Sequence, residues 1–226
     1  AYFMSLNRGK ESIALNLKNT DDKKIFDKIL AKADILVENF KPGTLERWGY
    51  GWADVSKKYP KLIYASASGF GQTGPLKELP AYDMVVQGMG GLMSVTGQPN
   101  SEPTRVGTSI GDITAGLFTA IGINAALYDR QKTGKGMYID VSMLDCQIAI
   151  LENAIARYLA KNEIPKPMGS RHPSIAPFEA FKTKDSHIII AAGNDKLFEK
   201  LCNLLDMPEM IQDSKFSDLS LIHISE

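Results

Sequence analysis

The sequence alternates short apolar segments of strand type with segments of helical spacing, and this alternation constrains the fold more than any other feature. The segments "DILVENF", "KLIYASAS" and "MYIDVSM" are rich in apolar and small residues over strand lengths. Helix patterns separate them, among them "TLERWG", "WADVSKKYP" and the long "DITAGLFTAIGINAALYDRQ". Strands that alternate with helices form a largely parallel sheet with helices packed on it. We therefore predict an α/β fold with a mostly parallel sheet.

Local patterns predict further elements. "SIALNL" alternates apolar and polar residues and predicts a first strand, and "NTDDKKIFDKILAKA" predicts a helix that Thr20 and Asp21 cap. In the long helix, Leu117, Ile121 and Leu127 are predicted to form the apolar face, and "TGKG" ends the helix. "YDMVVQGMGGLM" and "LDCQIAILENAIARYLAKN" each predict one helix, whereas "HIIIAAGN" and "DKLFEKLCNLLD" predict a strand and a helix.

The segment "EIPKPMGSRHP" is rich in proline and glycine and marks the predicted domain boundary. We predict a large domain over residues 1–150, a helix and linker over 151–168, and the beginning of a smaller domain over 169–216. Residues 217–226, which end in "LIHISE", match none of these patterns and are left unassigned.

Charge and composition exclude several classes of protein. Lys plus Arg equals Asp plus Glu at 26 each, which argues against nucleic acid as the main partner. We find no apolar run long enough to span a membrane and expect no membrane partner. Cys146 and Cys202 indicate buried thiols in a reducing compartment. The scattered histidines lack the spacing of a zinc site, so no metal is expected. A cytoplasmic location is expected, with a mitochondrial one as the alternative.

Glycine-rich turns follow two of the predicted strands. "ENFKPG" follows "ILV", and "SGFGQTGP" follows "LIYASA". In open α/β sheets ligands bind at the carboxyl ends of the strands, and glycine there lets a ligand approach the backbone. The unit "GFG" lacks the third glycine of the dinucleotide fingerprint, so a nicotinamide cofactor is disfavoured.

Asp112 is the single acid in "RVGTSIGDITAG" and stands at the start of the long helix. Position alone favours a helix N-cap, which contributes about 1 kcal/mol relative to Ala. A helix N-terminus would also lower the pKa of the carboxyl and keep it ionised, and an ionised carboxylate can attack an activated acyl group. The residues alone leave both interpretations open.

The motifs together resemble the class III CoA-transferases, the family that includes formyl-CoA:oxalate, carnitine and succinate-linked CoA-transferases. The matching blocks run in family order: "FMSLNRGKESIALNLK", "ADILVENFKPGTLERWG", "LIYASASGFGQTGP", "AYDMVVQGMGGLMSVTG", "GDITAGLFTAIGINAALYDRQKTGKG" and "FKTKDSHIIIAAGNDKLFEKLC". The resemblance implies a Rossmann-like large domain, the beginning of a smaller α/β domain and an interlocked homodimer. It also implies that family segments normally lie before Ala1 and after about Phe216.

The resemblance implies that Asp112 is the nucleophile. Its carboxylate would attack a donor acyl-CoA, possibly succinyl-CoA, and CoA would pass through an anhydride and an aspartyl-CoA thioester to a carboxylic acid acceptor. Coenzyme A is then a substrate, and no tightly bound cofactor is implied. The branch that uses succinyl-CoA with dicarboxylic acids such as glutarate or hydroxymethylglutarate is the most similar.

The resemblance also implies binding residues. Those for CoA are Leu15, Asn16, Leu17, Lys18, Asn39, Phe40, Lys41 and Arg47. Tyr82 and Asp83 would line the acyl pocket. "MGSRHPSIAPF" occupies the region of the family's glycine-rich loop but holds only Gly169, together with Arg171 and His172. Arg171 could pair with a substrate carboxylate, whereas His172 is interpreted as a polar loop residue.

Two alternatives differ in class. The α-methylacyl-CoA racemases resemble this chain but carry His within "GHD", where this chain has Tyr82 within "AYD", so the acid–base pair of a racemase is incomplete. The second alternative is an inactive CoA-binding protein, against which the presence of Asp112 argues.

Overall fold

The computed structural model describes residues 2–213 and 216. The helices are α1 (Tyr2–Leu6), α2 (Thr20–Leu30), α3 (Thr44–Trp48), α4 (Trp52–Lys58), α5 (Asp83–Met89), α6 (Leu92–Val95), α7 (Ile110–Thr133), α8 (Met143–Ile150), α9 (Asn153–Lys161), α10 (Asp195–Leu204) and α11 (Glu209–Gln212). The strands are β1 (Ile35–Glu38), β2 (Ile63–Ser68), β3 (Tyr138–Ser142), β4 (Phe178–Lys182) and β5 (His187–Ala191).

A parallel sheet with the order β1-β2-β3 confirms the predicted α/β fold. Ile35 pairs with Ile63 at one end of the register, and Ser68 pairs with Ser142 at the other. Helical segments connect these strands, as parallel pairing requires. The carboxyl ends of all three strands therefore lie at one edge of the sheet.

The chain divides into two compact units. The first consists of the described residues up to 90 and of residues 108–150, and the second consists of residues 91–107 and the described residues from 151 onward. Residues 91–107 therefore group with the second unit. The predicted division into a large and a small functional domain stays a prediction, and residues 217–226 lie outside the described residues.

Aromatic and aliphatic side chains form the main core of the first unit. Its buried members come from α2, α3, α4, β2 and the adjoining turns: Leu30, Leu45, Tyr50, Val55, Leu62 and Tyr64. The Tyr64 hydroxyl donates to the Tyr50 carbonyl at 3.0 Å, so the polar end of this ring is satisfied inside the core. Each large apolar side chain buried here contributes about 1.5–3 kcal/mol. This core fixes β1 and β2, and with them the turns that follow both strands.

Helix α7 buries its small residues and leaves its large ones outside. The buried residues are Gly111, Thr114, Ala115, Thr119 and Ala126. The prediction that Leu117 and Ile121 form the buried face was wrong, since these side chains are 58% and 62% exposed; Leu127 is half-buried. The physical reason is close approach, because a methyl group added at Gly122 would lie only 3.0 Å from the Ile139 Cγ2 on β3.

By length and composition α7 could also cross a membrane, so the expectation that no apolar run is long enough was wrong. One such helix is weak evidence for a membrane protein, because the core helices of soluble proteins pass the same test. In this structure α7 contacts β2, β3, α5 and α8.

Several local predictions need correction. Residues 12–17 form no strand, because a strand needs a hydrogen-bonded neighbour and none pairs with them among the described residues. Asn19 caps α2 in place of Thr20 and Asp21, and its side chain accepts from Asp21 N and Asp22 N. "YDMVVQGMGGLM" contains two helices, because Gly91 has φ +85°, which ends helical geometry. Glu152, with φ +36°, similarly separates α8 from α9.

The second unit contains a two-stranded antiparallel sheet in which Phe178 pairs with Ala191 and Lys182 pairs with His187. The predicted β5 and α10 are confirmed, whereas β4 was missed because "FEAFK" does not stand out from its neighbours. Ala192, Phe198 and Cys202 form its core. Both cysteines are buried, as predicted, and burial raises the pKa of each thiol.

Candidate active site

Polar and small residues gather where the three parallel strands end. Asn39 follows β1, Gly69 follows β2 and Met143 follows β3. All three residues line cavities at this edge, as the general rule for open α/β sheets predicts. Val141 and Met143, at the end of β3, pack with Ala115 of α7 in a buried cluster at this edge.

Two cavities open at this edge. The first, of about 560 Å³, lies between the sheet and α7, and the second, of about 350 Å³, lies among the turns that follow β1 and β2. Asp112, Asn39 and Met143 line both. The first is otherwise lined by Val37, Ala67, Ala115, Gly116, Thr119, Ala120 and Ile123. The second is otherwise lined by Phe40, Lys41, Pro42, Ser68, Gly69, Leu79, Pro80, Ala81 and Tyr82.

A hydrogen bond to the Glu38 side chain stabilises the turn after β1. The side chain of Glu38 is buried, and its Oε2 accepts the backbone N–H of Phe40 at 2.8 Å. The Phe40 ring packs edge-on against Trp48 at 5.5 Å between centroids. These contacts present Asn39, Phe40 and Lys41 to the second cavity. Sequence reasoning missed Glu38, although an acid at the end of the apolar run "ILVE" is a signal for such a role.

Asp112 lies in the first turn of α7, and the N-cap of this helix is Ser109. The interpretation of Asp112 as the N-cap was therefore wrong. Its carboxylate is exposed and makes no side-chain hydrogen bond within the described part of the chain. A carboxylate that faces two cavities and has no internal partner is available to a ligand.

The hydrogen bond that stabilises the start of α7 comes from Asp83, on α5. The Asp83 Oδ1 accepts the Gly111 N–H at 2.8 Å, and its Oδ2 accepts from the Gln87 Nε2, also at 2.8 Å. The Ser109 side chain makes no capping bond. Asp83, only 8% exposed, thus satisfies a first-turn N–H that has no partner inside the helix.

The surroundings raise the pKa of the Asp112 carboxyl above its ordinary value. The first cause is partial burial, and the second is the negative charge of Asp83. The expectation that the helix N-terminus would lower this pKa was wrong, because burial and a like charge outweigh the helix dipole.

The structure brings together only part of the predicted site. Asn39, Phe40, Lys41, Tyr82 and Asp112 line the second cavity, and the Tyr82 side chain is 82% exposed there. Asp83 lines neither cavity, since its carboxylate faces Gly111 and Gln87.

The remaining predicted binding residues line neither of these two cavities. Residues 15–18 run into a turn that the Asn19 N–H closes by donating to the Asn16 carbonyl at 2.8 Å, and the Asn16 N–H donates to the Asp22 Oδ2 at 2.8 Å. Arg47 is exposed on α3 and donates to the Thr44 Oγ1 at 2.9 Å. Arg171 and His172 belong to the second unit, where Arg171 lines a separate cavity of about 230 Å³ with Arg157 and Lys166.

Ser68 and Met143 are among the cavity-lining residues that sequence reasoning missed. Ser68 is the last residue of β2 and is 8% exposed, and its Oγ has no hydrogen-bond partner among the described residues. Position at the end of a predicted strand was the available signal for both. Among residues 2–213 and 216, no group of three or more His, Cys, Asp or Glu side chains is placed to hold a metal ion.

Comparison with known proteins gives this geometry its context. Residues 1–224 match CoA-transferase family III. The chain belongs to this family. It is 50% identical to acetyl-CoA:oxalate CoA-transferase of Acetobacter aceti over 216 residues, which is 95% of this chain and 56% of the relative. It is 42% identical to succinyl-CoA:glutarate CoA-transferase of Homo sapiens, covering 95% of this chain and 49% of the relative.

The solved structures agree with the fold. A CAIB/BAIF family protein from Brucella suis superposes with a TM-score of 0.82 at 41% identity, covering 97% of this chain and 58% of that one. The chain thus spans about half the length of the curated relatives that it matches. Family membership therefore applies to this chain directly, and the activity of the whole protein is inferred below.

Proposed function

We propose that the protein containing this chain transfers coenzyme A from an acyl-CoA to a carboxylic acid, with Asp112 as the nucleophile. One observation carries the proposal: among the described residues, Asp112 supplies the carboxylate that lines both cavities at the carboxyl ends of the sheet. The names of the relatives, which pair acyl-CoA donors with carboxylic acids, support the class of reaction.

The first half of the reaction loads CoA onto Asp112. A carboxylate oxygen of Asp112 attacks the carbonyl carbon of the donor thioester, the C–S bond breaks, and the CoA thiolate leaves a mixed anhydride behind. The thiolate then attacks Cγ of Asp112 and expels the donor acid as its carboxylate. The product is an aspartyl-CoA thioester. Both new bonds, O–C in the first step and S–Cγ in the second, form at the carboxyl group that reaches the cavities.

The second half runs the same steps with the acceptor. The acceptor carboxylate attacks Cγ of the aspartyl thioester, and the CoA thiolate leaves. The thiolate then attacks the acceptor carbonyl of the new anhydride, which yields the new acyl-CoA and restores the Asp112 carboxylate. All these steps exchange acyl groups between oxygen and sulfur, so they call for no change of oxidation state and for no tightly bound cofactor.

Binding of CoA is assigned to the turn after β1 and to the neighbouring cations. Lys41, Arg47 and Lys18 are exposed cations suited to phosphates, and Asn39 and Phe40 would contact the arm of CoA. Leu15, Asn16 and Leu17 complete the proposed set. For a dicarboxylic acid such as oxalate or glutarate, Arg171 is proposed to pair with the carboxylate that does not react.

The proposed mechanism predicts that acyl-CoA leaves a covalent mark on Asp112. Hydroxylamine or borohydride added during turnover should modify the peptide that contains Asp112, as seen by mass spectrometry. Asp112→Ala should abolish transfer and retain CoA binding, because the nucleophile lines the cavity without holding the phosphates.

Asp129 provides a matched control, since it lies at the opposite end of the same helix. Asp129→Ala should keep both transfer and labelling. Normal transfer with an unmodified Asp112 would refute the mechanism.

We also propose the interlocked homodimer of the resemblance as the assembly of the complete protein. Light scattering would report its mass.

A further inference from the structure

We propose that Asp83 positions the Asp112 nucleophile by holding the first turn of α7 through a hydrogen bond that reaches it from α5. This inference rests on the proposed function and assigns Asp83 a different role from the pocket-lining role that the resemblance implies. The carboxylate acts on the backbone beside the nucleophile and lines neither of the two cavities at the strand ends.

The hydrogen bond falls one residue before Asp112. Asp83 Oδ1 lies 2.8 Å from the Gly111 nitrogen, and the two residues are 28 positions apart in the chain. The first N–H groups of a helix lack partners within it, and the N-cap Ser109 supplies none from its side chain. The position of the first turn therefore depends on Asp83.

Asp83 is itself held rigidly. Its second oxygen accepts from Gln87, whose side chain is fully buried one turn further along α5. Packing adds to this bond, because a methyl group at Gly111 would lie 2.7 Å from the Val86 Cγ2 and 3.0 Å from the Asp83 Oδ1. The turn that carries Asp112 has no room to shift towards α5.

A second buried amide holds the same turn from α8. The Gln147 Nε2 donates to the Thr114 Oγ1 at 2.9 Å, and that hydroxyl donates to the Ile110 carbonyl at 2.7 Å. Gln147 is fully buried. Polar groups on both neighbouring helices thus fix the first turn, and Asp83 is the one among these described groups that carries a charge.

The charge of Asp83 gives the positioning role a measurable signature. It is the second cause, after burial, of the raised pKa of Asp112. The other titratable groups around Asp112 are Tyr82 and Lys41, which line the second cavity with it, and Cys146 on α8, which packs in the cluster of Val86 and Ala115. Loss of the Asp83 charge should therefore move the titration of Asp112 to lower pH.

Two substitutions separate charge from position. Asp83→Asn retains an oxygen for the Gly111 N–H and removes the charge, and Gln87 can rotate its amide to meet the new side chain. We expect the acidic limb of the plot of kcat against pH to move to lower pH in this variant. Asp83→Ala removes the hydrogen bond as well, and we expect kcat to fall by ~10²-fold, as small displacements of reacting groups do, with the KM for acyl-CoA unchanged.

Asp140→Asn is the matched control. Asp140 also accepts a backbone N–H, that of Gln72 at 3.0 Å, but it does not contribute to the raised pKa of Asp112. Its substitution should leave the acidic limb in place. Titration of the Asp112 carboxyl carbon by ¹³C NMR compares the wild type, Asp83→Asn and Asp140→Asn without turnover. This measurement does not need Asp83→Ala, so it remains possible if that variant does not fold.

The outcomes distinguish the two proposals. If Asp112→Ala retains transfer, the proposed function fails, and the NMR titration still tests the effect of Asp83. If Asp112→Ala is inactive but a folded Asp83→Ala keeps the kcat of the wild type, the positioning role of Asp83 alone is refuted. An unchanged titration of Asp112 in Asp83→Asn would contradict the effect of the Asp83 charge.

Discussion

At the scale of single residues, the site depends on where two carboxylates are placed. Asp112 is exposed at the cavities, whereas Asp83 is buried and hydrogen-bonded to the first turn of the same helix. Both acids lie in the first turn of a helix. Their difference in burial and in partners comes from the packing of α5 against α7.

The raised pKa of Asp112 predicts a dependence of stability on pH. The folded protein binds this proton more tightly than the unfolded chain, so ionisation lowers the free energy of unfolding as pH rises from the ordinary Asp pKa through the raised one. We expect Asp112→Asn to have a higher Tm than the wild type at pH 7 and the same Tm well below the ordinary Asp pKa. Calorimetry at both pH values would check this, and an equal difference at both would contradict it.

At the scale of elements, α7 carries the site because it lies close to its neighbours. Glycine, alanine and threonine form its buried side, and they allow the helix start to approach α5. A pattern of large apolar residues predicts which segments are helical, but it does not predict the buried face when packing selects small side chains. For this reason the existence of α7 was predictable and its orientation was not.

Two glycines on α7 provide a matched pair for this packing. Alanine at Gly111 would clash with Val86 and Asp83, whereas alanine at Gly116 meets no atom within 4 Å. We expect Gly111→Ala to destabilise the protein by about 1–3 kcal/mol through overpacking. Gly116→Ala should stabilise it by up to ~1 kcal/mol through helix propensity. Urea denaturation measures the free energy of unfolding of both variants. Equal changes in the two variants would show that α7 does not pack tightly against α5 at Gly111.

At the scale of the whole molecule, the two units differ in how their sheets are supported. In the first unit β2 is paired on both sides and is almost wholly buried. In the second unit β5 pairs with β4 alone among the described strands, and most of its residues are exposed. The site at the ends of β1, β2 and β3 therefore stands on the better protected sheet.

Hydrogen exchange should report this difference. A backbone amide exchanges when the smallest structural unit that protects it unfolds, and its exchange rate reports the free energy of that unfolding. Edge strands and exposed strands unfold first. We expect peptides from β2 to exchange the most slowly among the strands and peptides from β5 to exchange markedly faster. Similar protection in both strands, measured by mass spectrometry, would contradict this ranking.

The sequence by itself determined the parallel α/β architecture, most helices and strands, and the placement of Asp112 at the start of the long helix. These features follow from local periodicity, turn residues and the order of short motifs, which a single chain displays. Only the tertiary structure decided which side of α7 is buried, that Asp83 and not Ser109 supplies the capping bond, and that the pKa of Asp112 rises. Each of these depends on contacts between residues far apart in the chain, where the distance of approach and the neighbouring charge outweigh local preference.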